Sequence, residues 1–215
     1  MLASDAWKKI RTTTAYKGFV TINRQTYEEP SGAVTDWDVI AGRDSAATLA
    51  FTPAASHVVL FEQFRVGPEK SLLELPGGYL DSDEQPMDAG LRELREETGY
   101  RPESALYAGS EWFAANSSRR KHLVIAANAS EEFATTWDES ESGYVHLLPI
   151  SELMDFLVSG ELTDAGLACR GLAALARSSP ETEALADLRD RIRRLLVAPD
   201  PRRSTRQTRD NSRRR

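Results

Sequence analysis

One segment constrains this chain more than any other: Gly78 to Tyr100, with the lead-in Leu73-Glu-Leu-Pro-Gly77. Asp81, Ser82 and Asp83 are turn formers between two apolar runs, so the first half of the segment reads as a loop. Pro86 suits the first turn of a helix, where the amide it lacks would have no partner anyway. From there Met87, Leu91, Leu94 and Thr98 recur at helical spacing as an apolar stripe, and Gly99 stands where a C-cap belongs. Glu93, Glu96 and Glu97 stand at i, i+3 and i+4, which gathers three carboxylates on one side of the helix. Like charges at such spacing destabilise a helix by about 0.2–0.5 kcal/mol per pair, so the pattern asks for a cation among them. A hard divalent ion such as Mg²⁺ takes oxygen ligands and acts on phosphate substrates. Pro76-Gly77-Gly78 carries no bulky side chain, so the Gly77 carbonyl can approach the same ion. Gly90 inside the helix costs about 1 kcal/mol relative to Ala, which implies another backbone packed close to it. The plain alternative is a solvated acidic helix in which Arg92 and Arg95 make ordinary surface ion pairs.

The full spacing decides against that alternative. Gly78 is followed after five residues by Glu84, and after seven more by Arg92-Glu93-Leu94-any-Glu96-Glu97-any-Gly99-Tyr100. At average residue frequencies the seven fixed letters of such a pattern coincide by chance on the order of once in 10⁸ windows. The segment resembles the Nudix hydrolase box in every position. That resemblance implies an Mg²⁺-dependent diphosphatase, with Mn²⁺ as the alternative ion. Glu93, Glu96, Glu97 and the Gly77 carbonyl would hold the metal. Arg92 is cast as an organiser that pairs with Glu84 or a neighbouring glutamate, while Gly78, Glu84 and Gly99 shape the loop and the helix end.

The chain of 215 residues is long enough for one core and a small extra layer. With 40% hydrophobic and 28% charged residues it has the composition of an ordinary soluble globular protein. No apolar run approaches about 18 residues, and the first 14 lack a signal-peptide layout, so a cytoplasmic protein without a membrane partner is expected. Cys169 is the single cysteine, so no disulfide can form within the chain, and among Leu167, Ala168 and Leu172 it reads as a small core residue. His57, His122 and His146 have no metal-ligand spacing and read as structural or surface residues. The net charge of −6 conceals an asymmetry: residues 201–215 hold seven arginines and one aspartate, about +6, leaving about −12 elsewhere. That tail is expected to be disordered. A touch on RNA or acidic surfaces and a solubilising terminus are both open readings of it, and nucleic acid is not the expected partner.

Along the chain, a short helix is expected over Ala6–Ile10, then strands Gly18–Tyr27 and Ala33–Ala41 around the turn Glu28-Glu-Pro-Ser-Gly32. Ala46–Thr52, His57–Phe64 and Ser71–Leu75 read as strands before the box, and Leu106–Phe113, His122–Ala127 and Tyr144–Pro149 after it. Helices follow over Glu152–Ser159, capped by Ser151 and ended by Gly160, then over Thr163–Arg177 and Pro180–Val197. Leu185, Leu188, Ile192 and Leu195 form the inner stripe of the last. This order of elements predicts an α+β fold with a mixed sheet covered by helices. With the box resemblance it becomes a Nudix αβα sandwich plus an N-terminal antiparallel sheet. The expected division is residues 1–52 for that sheet, 53–198 for the hydrolase domain and 199–215 for the tail.

Residues 18 to about 177 are similar to the ADP-ribose and nucleoside-diphosphate-sugar pyrophosphatase branch of the family. The carrying residues are Phe19 to Trp37 with the Tyr27-Glu-Glu-Pro-Ser-Gly turn, Gln63-Phe64-Arg65 and Leu73-Glu-Leu-Pro-Gly-Gly78. The branch implies a homodimer that exchanges its N-terminal sheets. It also implies an adenine held between Phe19 and Trp37, one from each subunit. Arg65 and Glu74 match positions that contact the diphosphate and ribose. Glu141, in Glu141-Ser-Gly-Tyr-Val145, matches the general base, with Glu139 second. One departure stands out: where many ADP-ribose enzymes have a proline sixteen residues past the final box glycine, this chain has Ala115. Arg119, Arg120 and Lys121 nearby are candidates to meet a terminal phosphate or sugar. ADP-ribose leads as substrate, other nucleoside-diphosphate sugars follow, and a non-hydrolysing ligand sensor or an RNA-end hydrolase are the rival readings.

Overall fold

The computed structural model describes residues 6–137 and 142–197. Its first three strands, β1 (Lys8–Lys17), β2 (Thr21–Glu28) and β3 (Val34–Ala41), form a separate antiparallel sheet in that order, bridged to Ser117 through Ile40 of β3. Residues 8–10, expected within a short helix, belong to β1 instead. Its threonine-rich sequence suits an extended, pleated backbone, and Lys8 pairs across to Glu28. Tertiary pairing overrides a weak local propensity for helix here.

The main sheet runs β12 (Gly143–Pro149), β5 (His57–Arg65), β4 (Ser45–Phe51), β10 (Arg120–Ala127), β9 (Ser104–Trp112), with β6 (Lys70–Glu74) on β5 and β7 (Gly77–Tyr79) on β4. β4 and β10 are parallel, from Ser45 against Lys121 to Ala50 against Ala126, and the other pairings are antiparallel, so the sheet is mixed. A minor ladder joins β8 (Tyr100–Arg101) to β11 (Ser130–Glu131). The helices are α1 (Pro86–Thr98), α2 (Leu153–Val158), α3 (Ala165–Arg177) and α4 (Glu183–Val197). Period-two alternation in the central strands assigns the layers. Leu49, Phe51, Leu123 and Ile125 face α3 and α4, against Leu167, Leu172, Leu185, Leu188 and Ile192. Ala50, Val59 and Ala126 face the other way, against Leu94 of α1 and Tyr100. The result is the expected α+β sandwich with an additional N-terminal antiparallel sheet.

β4 changes partner along its length, and this shapes the site. Ser45–Ala47 pair with β7, whereas Ala50 and Phe51 pair with β5. The sheet therefore divides between these points, and β5 leaves with β6 while β7 stays.

α1 begins as the sequence predicts, with Pro86 at its first position, and ends on Gly99 in the left-handed region at φ +76°. Gly90 does meet a close neighbour, but side chains rather than a backbone. A Cβ there would lie 2.8 Å from Val124 Cγ2 and 2.9 Å from Thr48 Oγ1. Three smaller expectations change. Ser151 lies within a 3₁₀ turn, Ile150–Glu152, and makes no side-chain cap. Cys169 is exposed, because the buried side of α3 is Leu167, Ala168, Gly171, Leu172 and Leu175. Residues 77–79, at the loop end of the box, form a strand edge. Among the described residues, no helix is long and apolar enough to cross a membrane.

Candidate active site

The box folds as strand edge, loop and helix around one arginine. Arg92 donates from Nε to Glu84 Oε1 at 2.9 Å and from Nη2 to Glu84 Oε2 at 3.0 Å, a bidentate fork across the loop. The same Nη2 reaches the Tyr79 carbonyl at 3.1 Å, and Nη1 reaches Glu93 at 2.8 Å and Glu96 at 3.0 Å. The hydrogen bonds it donates to Glu84 are the chief reason the guanidinium is held well above its ordinary range. In return the Arg92 hydrogen bond, and behind it the Asp81 amide, pulls Glu84 below its usual value against partial burial. Arg92 thus bonds Glu84, Glu93 and Glu96 together, and part of the cation demand among the glutamates is met from within.

Glu97 is only 2% exposed and accepts from the Gly77 amide at 2.8 Å. A Cβ on Gly78 would collide with the Glu93 carboxylate, so the glycine keeps the space into which that carboxylate fits. Glu96 is half-buried beside them. The donors Glu93, Glu96, Glu97 and the Gly77 backbone are hard oxygens on one short helix and the strand facing it, which suits Mg²⁺ rather than a softer ion. Among the described residues no three acidic, His or Cys side chains are arranged around a common ion position, and Glu93 and Glu96 both accept from Arg92 Nη1.

The end of α1 is covered by the loop that holds Thr136 and Trp137. The Thr136 amide donates to the Glu96 carbonyl at 2.8 Å, and the Trp137 indole to the Glu97 carbonyl at 3.0 Å. The Trp137 ring packs on Phe61 at 6.0 Å between centroids. No local pattern marks Trp137, because its partners lie 40 and more residues away. The base candidates Glu141 and Glu139 lie outside the described residues, as does the arginine-rich tail.

Arg65 and Glu74 stand together on the β5–β6 hairpin, where Arg65 Nε donates to Glu74 Oε2 at 2.7 Å and Nη2 reinforces it. Glu74 is 4% exposed, and its second oxygen accepts from Thr163 Oγ1 at 3.1 Å. Burial acts on Arg65 most strongly, lowering it, but the hydrogen bond and charge of Glu74, with Glu97 and Asp164 behind, outweigh this and raise it. Arg65 is the more open of the two, and Glu74 is its anchor.

Phe19 and Trp37 lie apart from the box, on the three-stranded sheet. Phe19 sits in the β1–β2 turn at 92% exposure and Trp37 on β3 at 51%. The Trp37 indole donates to Thr35 Oγ1 at 3.0 Å, and its ring meets Trp7 edge-on at 6.4 Å. The end of β3 reaches the β9–β10 loop through Ile40, whose amide and carbonyl bond Asn116 and Ser118 at 2.9 Å each. The cations of that loop are engaged inside the protein. Arg119 is buried, donates to the Arg43 carbonyl at 2.8 Å and lies over the rings of Tyr79 and Phe113. Arg120 stacks on Trp112 at 4.4 Å, and Lys121 pairs with Asp164 at 2.6 Å. His122 is buried between Tyr107 and Asp44, a structural role as expected.

Known proteins match on both sequence and fold. The NUDIX domain model covers residues 42–165. An ADP-ribose pyrophosphatase of Haemophilus influenzae is 32% identical over 178 residues, 74% of this chain and 81% of its own. A methanol dehydrogenase activator of Bacillus methanolicus is 30% identical over 164 residues, 74% of this chain and 86% of its own. Among solved structures, one titled as an ADP compounds hydrolase superposes with a TM-score of 0.67 at 19% identity, over 87% of this chain and 94% of that one, a likeness of fold. With its box, its sandwich and a family model spanning more than half its length, the chain belongs to the Nudix hydrolase family.

Proposed function

We propose that the protein hydrolyses the diphosphate bond of ADP-ribose or a related nucleoside-diphosphate sugar, giving a nucleoside monophosphate and a sugar phosphate. The observation that carries this reading is the buried Glu97 carboxylate, tied to the Gly77 amide beside a Glu93 that only a glycine at position 78 leaves room for. The relatives described as an ADP-ribose pyrophosphatase in Haemophilus influenzae and an ADP-sugar pyrophosphatase in Mus musculus support the substrate class.

Glu93, Glu96, Glu97 and the Gly77 carbonyl would hold the Mg²⁺, with Mn²⁺ able to stand in. When bound, the ion neutralises diphosphate oxygens and lowers the pKa of a coordinated water. Arg92 keeps the glutamates and the loop in one arrangement. Arg65, held by Glu74, offers its fork to phosphate oxygens. Glu141 serves as general base, or failing it Glu139. Phe19 and Trp37, exposed on the N-terminal sheet, supply aromatic faces for the adenine across a homodimer.

The test is phosphatase-coupled turnover of a nucleotide-sugar panel with Mg²⁺, wild type against Glu97→Gln. We expect wild-type turnover and a loss exceeding the roughly 100-fold that removal of an outer-shell partner costs a metal site. Equal rates for the two proteins would remove the box from the reaction.

A further inference from the structure

Thr163 and Asp164, consecutive residues just before α3, bond to opposite halves of the divided sheet. Thr163 donates to Glu74 on β6, 89 residues earlier, and Asp164 accepts from Lys121 on β10, 43 residues earlier. β6 and β10 share no ladder, since β6 pairs with β5 and β10 with β4 and β9. Where β4 changes partner, β7 presents the Gly77 amide to Glu97.

Both contacts are specific. Glu74 is almost fully buried, so its Oε1 has little access to water and depends on the Thr163 hydroxyl for a partner. With Oε2 committed to Arg65, the two bonds fix the carboxylate plane and with it the direction of the Arg65 fork. Asp164 occupies the N-cap position of α3, where an aspartate ordinarily accepts from the helix's own amides. It makes no such side-chain bond and turns to the Lys121 ammonium instead. α3 itself is seated at closest approach on β10, because a Cβ on Gly171 would strike the Leu123 side chain. Thr163 and Asp164 are thus presented from a firm base. The charges of Glu97 and Asp164 both act on the Arg65 guanidinium, behind that of Glu74.

We propose that Thr163 and Asp164 are positioning residues for the diphosphate: Thr163 aims Arg65 through Glu74, and Asp164 fixes the Lys121 ammonium at the end of β10. This rests on the diphosphatase reading above. Nothing in it requires either residue to touch the substrate.

The experiment compares Thr163→Val, close in shape but without the hydroxyl, with Thr163→Ser, which keeps it, on ADP-ribose with Mg²⁺. Thr163→Val should raise KM about ten-fold with kcat retained, the scale of one hydrogen bond to a charged group. Thr163→Ser should return KM toward wild type, and Asp164→Asn should raise it in the same direction. A merely structural role would lower Tm in Thr163→Val and leave KM alone. An unchanged KM, or failure of serine to restore it, overturns the proposal. Should the wild type turn over no member of the panel, the diphosphatase reading falls by itself. The contact is then read from the Arg65 Nε–H resonance in ¹⁵N NMR, expected to move in Thr163→Val and return in Thr163→Ser. A resonance at the wild-type position in both variants overturns the aiming role independently.

Discussion

The amide of Gly77 donates to the carboxylate of Glu97 at 2.8 Å, across 20 residues of sequence. This bond joins the strand edge that opens the box to the last turn of the helix that closes it. It also answers an electrostatic difficulty. The carbonyl end of a helix carries partial negative charge, and Glu96 and Glu97 stand in that last turn with Glu93 one turn before. Arg92 and the Gly77 amide face these carboxylates, while the Thr136 amide and the Trp137 indole satisfy the carbonyls of Glu96 and Glu97. A divalent ion would complete the same compensation.

Gly78 and Gly90 should separate activity from stability. Alanine at 78 meets the Glu93 carboxylate, a movable side-chain end, so the fold should persist while kcat/KM drops about 10–100-fold. Alanine at 90 meets Val124 and Thr48 in the packed layer under α1. Overpacking there costs about 1–3 kcal/mol, partly offset by the roughly 1 kcal/mol gained in helix propensity. Urea unfolding of both variants, beside their kinetics, checks the contrast, and the reverse pattern would refute it.

Arg92→Lys keeps the charge and loses the fork. Lysine cannot serve Glu84 bidentately and also reach Tyr79, Glu93 and Glu96. We expect about 2–3 kcal/mol of lost stability in urea together with reduced turnover. A change below about 0.5 kcal/mol, the range of ordinary surface substitutions, would show that the network is ornamental.

Acid should weaken the loop through Glu84. Its carboxyl lies below the ordinary 4.5 because Arg92 hydrogen-bonds it, against partial burial. A group held low in the folded state binds fewer protons there than when unfolded. Its contribution is therefore complete above about 4.5 and is lost as pH falls through the depressed folded value. Urea midpoints of wild type and Glu84→Gln should converge as pH drops through this window. A constant gap between them from neutral pH to pH 3 would be incompatible with the pairing.

Trp137 offers a readout of the metal that does not depend on turnover. Its indole bonds the backbone of Glu97, so Mg²⁺ drawing on that glutamate should alter tryptophan emission. The response should be lost from Trp137→Phe with the other three tryptophans in place. Identical titrations of the two proteins would place the ion elsewhere.

The helix of the box was legible because its determinants are local. Pro86, Gly99 and the Glu93–Glu96–Glu97 spacing act within a few turns, and the Arg92–Glu84 pairing spans eight residues. The central strands were legible from their apolar runs. β1 was not, because a strand of threonines and lysines is decided by its partner β2. Cys169 sat among apolar neighbours in sequence, yet the helical turn carries it to the outer side of α3. The roles open to Arg119, Arg120 and Lys121 also escaped prediction, since Tyr79, Trp112 and Asp164 come to them only in the fold.

The sequence by itself determined the family, the acidic helix and the residue types that can hold a divalent ion, because spacing along one helix is set by 3.6 residues per turn. Only the tertiary structure decided that Glu97 is buried against Gly77, that Glu74 anchors Arg65, and that Thr163 and Asp164 span the divided sheet. Those contacts join residues 9 to 89 positions apart, and such partners are chosen by how strands and helices stack.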